Sequence, residues 1–336
     1  MVPCVSTGAR SYVFIGAGAV GGLYGARLAS AGHRVCFLVR RDAEVIRRRG
    51  ITVVGPTETI VIHPAHVTCA VDDLTGPDVV PDVVVVATKT NSNLEIREAV
   101  ARLLRPGSIL VLMQNGLDVE DDFADVASGS TVLGALCFVC AERVDAGLVL
   151  HRDFGTVTLA EFRADRSAAG VTEPVEAVAG DLERAGVKTV RYPDLVEARW
   201  RKLVWNVPYN GLSVVLRAGT DELNGHPRTR GLVRDLMSEV IALARADGRT
   251  VPTEFADEML DATDRMIPYL PSMRRDFEAG HPMELDAIYE RPLRRARDLG
   301  VDVPLVSALA AQLAFLQERR SGRRLEGDGP APVVTR

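Results

Sequence analysis

Apolar positions along this chain follow two rhythms. Up to about residue 191, short runs of strand character alternate with stretches of helical spacing; beyond it, nearly every stretch repeats at three to four residues. A strand pattern over 11–15 runs into a glycine-rich turn, a helical rhythm ends near Gly32, and a second strand covers 33–39. Residues 51–54 and 59–63 alternate like a hairpin. The continuous apolar runs 82–87 and 108–113 are patterns of strands covered on both faces, with a helix over about 94–104 between them. Shorter strands at 132–139, 148–151 and 156–160 precede a helix over about 174–185 and a strand over 188–191. Tyr192-Pro193-Asp194 breaks the pattern, and helices are predicted at roughly 195–216, 227–247, 253–264, 283–299 and 304–319. This order predicts an α/β, doubly wound N-terminal domain over 1–193 and an all-α domain over 194–320. From Ser321 no periodicity survives, and the Gly-, Arg- and Pro-rich tail 321–336 is expected to be disordered.

The first turn carries chemistry. In Gly16-Ala17-Gly18-Ala19-Val20-Gly21, the first glycine permits a tight turn, the second lets backbone approach a pyrophosphate, and the third allows close helix-to-strand packing. The motif alone is weak evidence; the second strand arriving where a βαβ unit requires it makes this a dinucleotide site. Arg40 and Arg41 end that second strand, where a basic residue accommodates a ribose 2′-phosphate, so NADP is the expected cofactor. A solvated strand end is the plainer account of the two arginines, and Asp42 is the acid an NAD site would use. Lys89 and Asn115 follow the two buried strands, where ligands of open α/β sheets bind. Asn115-Gly116 also fits a simple Asn-Gly turn.

A second candidate lies in the helical half. Only three of the 40 basic residues are lysines, namely Lys89, Lys188 and Lys202. A retained ammonium in an arginine-rich chain suits a site that needs a donor able to release its proton, which a guanidinium does not do. Lys202, Asn206, Asn210 and Ser213 fall within about 80° of one another on a helix. Residues 203–216 contain no charge, although the chain is 25% charged. A buried helix with one narrow polar seam is therefore expected, interrupted by Pro208, which removes a backbone donor.

Composition narrows the remaining classes. At 336 residues and 47% hydrophobic, the chain can build two cores. A net charge of −5 supplies no field that favours nucleic acid or an anionic membrane. Five scattered cysteines (Cys4, Cys36, Cys69, Cys137, Cys140) fit the reducing cytoplasm, and the Cys137/Cys140 spacing, inside a strand pattern without a second pair, reads as structural thiols and not a metal site. The apolar stretch 12–31 holds five glycines that suit a βα turn better than an export signal, so neither export nor a membrane span is expected. Residues 301–316 form an amphipathic helix able to pair two copies as a homodimer or to close the core.

Taken together, the glycine loop, the Lys and Asn at successive strand ends, the W-x-K-x-x-x-N-x-x-x-N helix at Trp200 to Asn210, and the segment Ser272-Met273-Arg274-Arg275-Asp276 to Gly280 and Glu284 resemble the ketopantoate reductase (2-dehydropantoate 2-reductase) family over about residues 11–320. The resemblance implies an N-terminal Rossmann domain and a helical domain like the C-terminal domain of 6-phosphogluconate dehydrogenase. It implies NADPH-dependent reduction of the 2-oxo group of 2-dehydropantoate to pantoate, in pantothenate biosynthesis. Lys202 would be the general acid and Glu284 the carboxylate working with it and the substrate hydroxyl. Asn206 and Asn210 would hold substrate oxygens, Ser272 the substrate carboxylate, and Asp276 that loop. Asn115 would position both the nicotinamide ribose and the substrate, while Lys89 faces the cofactor and Arg40 its 2′-phosphate. The chain departs from the family where an Asn-Gly pair often follows the glutamate, having Asp286-Ala287, and at Met283, where Thr is common. These departures leave open a paralogous reductase of another 2-oxo acid; a third reading is a non-catalytic NADP-binding sensor.

Overall fold

Residues 8–75 and 80–320 are described in the computed structural model. Cys4 and the expected disordered tail, 321–336, lie outside the described residues. The chain divides into two compact units, Met1–Lys202 and Leu203–Arg336.

The first unit is built on one ten-stranded sheet. In chain order it comprises β1 (Ser11–Ile15), α1 (Ala19–Ser30), β2 (Arg34–Leu38), α2 (Ala43–Arg49), β3 (Ile51–Val54), β4 (Thr59–Ile62), β5 (His66–Thr68), β6 (Val83–Val86), α3 (Asn93–Leu103), β7 (Ile109–Leu112), β8 (Thr131–Asp145), β9 (Leu148–Glu161), α4 (Glu173–Arg184) and β10 (Thr189–Arg191). The strand order is β4-β3-β9-β8-β7-β6-β1-β2-β5, with β10 added to β9. Strands β5, β2, β1, β6, β7 and β8 pair in parallel. From β1 the chain passes to β2 on one side, makes an excursion to β3 and β4 at the opposite edge, adds β5 beside β2, and then returns to β6 and winds through β7 to β8 on the other side. The reversal between β1 and β6 is the switch point at which doubly wound sheets bind ligands. All four residues of β6 are at most 1% exposed, as its unbroken valine run requires of a strand covered on both faces.

Two predicted strands prove to be one. Runs 148–151 and 156–160 belong to the single strand β9, and the alternation fails between them because the β8–β9 ladder slips at Phe138/Val139 and Cys140/Ala141. The bulge places Phe154 at φ 57° and Gly155 at φ 125°. Across the sheet, the fully buried Asp181 of α4 accepts hydrogen bonds from Arg10 and from the Tyr12 hydroxyl of β1, anchoring that helix against the strand that leads into the glycine turn.

α5 (Leu195–Leu216) begins in the first unit and continues into the second, running unbroken through Pro208. The second unit adds α6 (Thr220–Gly225), α7 (Pro227–Ala246), α8 (Phe255–Asp264), α9 (Ser272–Ala279), α10 (Arg291–Leu299) and α11 (Pro304–Arg320). Its centre includes Tyr209, Met237, Tyr289 and Leu313, each fully buried. Trp205 and Tyr209 pack with ring centroids 4.8 Å apart, and the Tyr209 hydroxyl donates to Asn224 at 2.6 Å. The helix expected over 283–299 is a wide π turn at Asp286–Glu290 followed by α10. Pro292 cannot donate to the carbonyl one α-turn behind it, and a wider turn at that point accommodates the missing bond. No described helix is long and apolar enough to cross a membrane.

Candidate active site

The three glycines of the first turn meet three different surroundings. Gly16 has φ 101°, and a Cβ there would stand 2.9 Å from the Thr88 methyl, against the end of β6. At Gly21 a Cβ would fall 2.1 Å from the Gly16 carbonyl oxygen, so α1 rests directly on the turn. Around Gly18 a Cβ would meet nothing within 4 Å. Tight turn, open approach and close packing are what a pyrophosphate seat demands of these positions in that order. No acidic side chain occupies the first turn of α1, leaving its N–H groups and the positive end of its dipole for an anion. Ala17 is buried, whereas Ala19 and Val20 are half-buried in that first turn. Gly21→Ala should therefore cost about 1 to 3 kcal/mol of stability from overpacking, together with loss of cofactor binding, measurable by thermal melts and NADPH fluorescence titration.

Other candidates gather around the same switch point. Lys89 is exposed just beyond β6, and Asn115 is half-buried just beyond β7. Arg40, past the end of β2, lies 3.6 Å from Glu95 of α3, and both side chains are largely exposed. Arg41 is exposed beside it. Asp42, the acid an NAD site would use, is instead the N-cap of α2 at φ 68°, with its carboxylate accepting from Arg143 at 2.6 Å.

Lys202 is half-buried on α5, and its ammonium donates to the main-chain carbonyl of Cys137 on β8. Burial pushes the Cys137 thiol up to about 11 against the opposing pull of Lys202, so this sulfur is neutral at physiological pH. Cys137 and Cys140 are free thiols on one strand.

The polar seam on α5 is buried as expected: Asn206 is 4% exposed, Asn210 2% and Ser213 0%. Ser213 donates to the Asn210 carbonyl at 3.0 Å. The Asn206 side-chain nitrogen and the Asn210 side-chain oxygen are buried and lack a partner among the described residues. An unmet donor and an unmet acceptor one turn apart, in the uncharged and buried part of the helix, are costly unless something binds them.

Within the helical unit, Ser272 opens α9 and Asp276 lies one turn on, both half-buried. The periodicity places this segment between helices, whereas the structure makes it a short helix, bounded by Pro271 before it and Gly280 after it at φ 81°. Arg274, also missed, is buried; it donates to the Ser213 carbonyl at 2.7 Å and pairs with Glu278, tying α9 to α5 one turn beyond Asn210. Glu284 is 4% exposed and sits just before the π turn, where its carbonyl accepts from the Ile288 amide at 3.3 Å.

Known proteins resemble this chain over most of its length. A family model described as "Ketopantoate reductase PanE/ApbA" matches residues 12–164, and one described as "Ketopantoate reductase PanE/ApbA C terminal" matches 194–317. A 2-dehydropantoate 2-reductase from a Nostoc species is 39% identical over 319 residues, covering 95% of this chain and 99% of its own. The crystal structure of 2-dehydropantoate 2-reductase from Geobacter metallireducens GS-15 superposes with a TM-score of 0.83 at 35% identity, covering 92% of this chain and 99% of its own. The one from Methylococcus capsulatus does so at 0.83 and 30%, covering 95% and 100%. With both of its parts matched by family models and a 39% identical relative covered to 99%, the chain belongs to the ketopantoate reductase family and is an oxidoreductase.

Proposed function

We propose that this protein reduces the 2-oxo group of 2-dehydropantoate to give pantoate, with NADPH as the reductant and Lys202 as the proton donor. The observation that carries the reading is the α5 seam, where Lys202 is followed one and two turns later by buried asparagines, of which Asn206 Nδ2 and Asn210 Oδ1 lack a partner among the described residues. When bound, the nicotinamide supplies hydride to the ketone carbon. Negative charge then develops on the former carbonyl oxygen, and an ammonium beside it both stabilises that charge and delivers the proton. A compact, titratable donor suits both tasks, which a guanidinium does not. Asn206 and Asn210 orient the substrate by offering one donor and one acceptor; Ser272 takes its carboxylate, with Asp276 supporting the segment. Glu284 acts as the carboxylate that works with the lysine and the substrate hydroxyl. Asn115 holds the nicotinamide ribose and the substrate.

The pyrophosphate is held by Gly16 to Gly21, and Lys89 faces the cofactor. Engagement of Asp42 by Arg143 supports NADPH over NADH, because the acid that would bind a free 2′-hydroxyl is already paired, while Arg40 and Arg41 stay accessible for a phosphate. Replacing both, Arg40→Ala with Arg41→Ala, should weaken NADPH about tenfold or more and leave NADH unchanged, as titration with each nucleotide will report.

Turnover of purified protein with 2-dehydropantoate and a panel of other 2-oxo acids, with either nucleotide, tests the reading. Preference for 2-dehydropantoate with NADPH supports it. A preference of about tenfold or more for another acid assigns the chain to a paralogous 2-oxo acid reductase, the reading favoured by Asp286-Ala287 and the π turn after Glu284. Binding of NADPH without oxidation by any acid tested would leave a nucleotide sensor. Assembly as a homodimer and a cytoplasmic location belong to this same proposal; a dimeric ketopantoate reductase from Staphylococcus aureus is among the structural neighbours.

A further inference from the structure

Beside the carboxyl ends of β6 and β7 and the first residues of β8, the first unit contains a buried polar truss that plays no part in the scheme above. Arg199 is 2% exposed and Glu120 is 1% exposed, and the two form an ion pair. The second arm of Arg199 donates to the main-chain carbonyl of Gln114, the residue immediately before Asn115. The Gln114 side chain, 3% exposed, donates in turn to the Thr88 carbonyl at 2.9 Å, immediately before Lys89. It is held from the other side by a reciprocal pair with Asn93, at 2.7 Å and 3.3 Å. Asn93 is itself fixed by Asp122 at 2.7 Å. Three residues after Arg199, on the same face of α5, Lys202 is tethered to β8 through the Cys137 carbonyl.

The sheet has made room for this truss. A Cβ at Gly134 of β8 would stand 2.7 Å from Glu120 Oε1, 3.3 Å from Arg199 Nη2 and 2.3 Å from Leu195 Cδ1. Only a residue without a side chain lets the pair seat between strand and helix.

Stability alone does not explain such a pair. Two charges withdrawn from water lose hydration that their attraction roughly repays, and an apolar pair of equal volume would hold the helix as firmly or more so. What apolar contacts do not provide is direction. A guanidinium engaged at two fixed points sets both the rotation and the height of α5, and the amide chain from Gln114 carries that constraint to the strand ends.

We propose that Arg199 and Glu120, linked to the strand ends through Gln114, are positioning residues that hold Lys202, Asn115 and Lys89 in mutual register. The proposal rests on the reading of Lys202 as proton donor, so its test includes a readout that needs no turnover. Because the chain has three lysines, isotope labelling at lysine gives three side-chain signals, one of them Lys202. The variant Glu120→Leu with Arg199→Met removes both charges together, and thermal melts check that it folds. In it the Lys202 signal should move while that of Lys188 stays. With the preferred 2-oxo acid and NADPH, kcat should fall by about a hundredfold, the scale of a misplaced reacting group, and NADPH affinity should weaken less than that, because the glycine turn is untouched while Lys89 and Asn115 lose their register. Arg199→Lys, which keeps the pair with Glu120 but lacks the fork that also reaches Gln114, should keep the fold and recover only part of that loss. A folded double variant with an unmoved Lys202 signal and wild-type kcat overturns the proposal. Should Lys202→Ala leave turnover intact, the proton-donor reading fails, and the Lys202 signal still decides whether the truss positions that side chain.

Discussion

Lys202→Ala is expected to lower kcat by about 10² to 10⁴, equivalent to roughly 3 to 5 kcal/mol of lost transition-state stabilisation. The hydroxyl of the product needs a proton and its precursor oxygen needs a nearby positive charge; in the proposed scheme one side chain would supply both. NADPH affinity should be untouched, because the glycine turn, the open surface at Gly18 and the first turn of α1 all lie outside α5. The loss should therefore appear in kcat and not in the dissociation constant of the cofactor. Lys202→Arg is equally informative: it keeps the charge but offers no releasable proton, and should remain near the level of the alanine variant. Steady-state kinetics together with fluorescence titration of NADPH measure both quantities. Retention of kcat in either variant would remove Lys202 from the chemistry.

The second large effect concerns folding. Glu120→Ala leaves the Arg199 guanidinium at 2% exposure without its counter-charge, and breaking a buried pair from one side costs about 3 to 5 kcal/mol. Chemical denaturation should show a clear drop in midpoint. Adding Arg199→Met should recover most of it, because the orphaned charge goes with the substitution. That non-additivity distinguishes a desolvated pair from two independent contacts; equal and additive losses would contradict the assignment.

How legible these features were in the sequence depended on how local their causes are. The glycine turn, the valine strand β6 and the seam on α5 were readable because each is written within a few residues: spacing in the first, an unbroken apolar run in the second, an absence of charge in the third. The β9 strand was read as two because its bulge interrupts the two-residue alternation at Phe154 and Gly155, and pairing with β8 across that irregularity is a property of the partner strand. The π turn arose from a single Pro292 inside an otherwise helical rhythm. Arg199 escaped notice for a different reason. Beside Arg201 and Lys202 it looks like a solvated face, and its partner lies 79 residues earlier in the chain. Spacing does not reveal a contact of that range. The sole local clue, a glycine in the middle of the apolar strand at position 134, acquires meaning only once β8 is seen against α5.

Chain order around β1 and β6 has one more consequence. The connection leaving β1 leads to β2 on one side and the one leaving β6 leads to β7 on the other, so these two connections part and leave a gap between the strand tips. That gap is a property of connectivity and not of side chains. Wholesale replacement of the loop residues would change which nucleotide it favours yet would leave the opening itself in place, and only rewiring the order in which the strands are visited would close it.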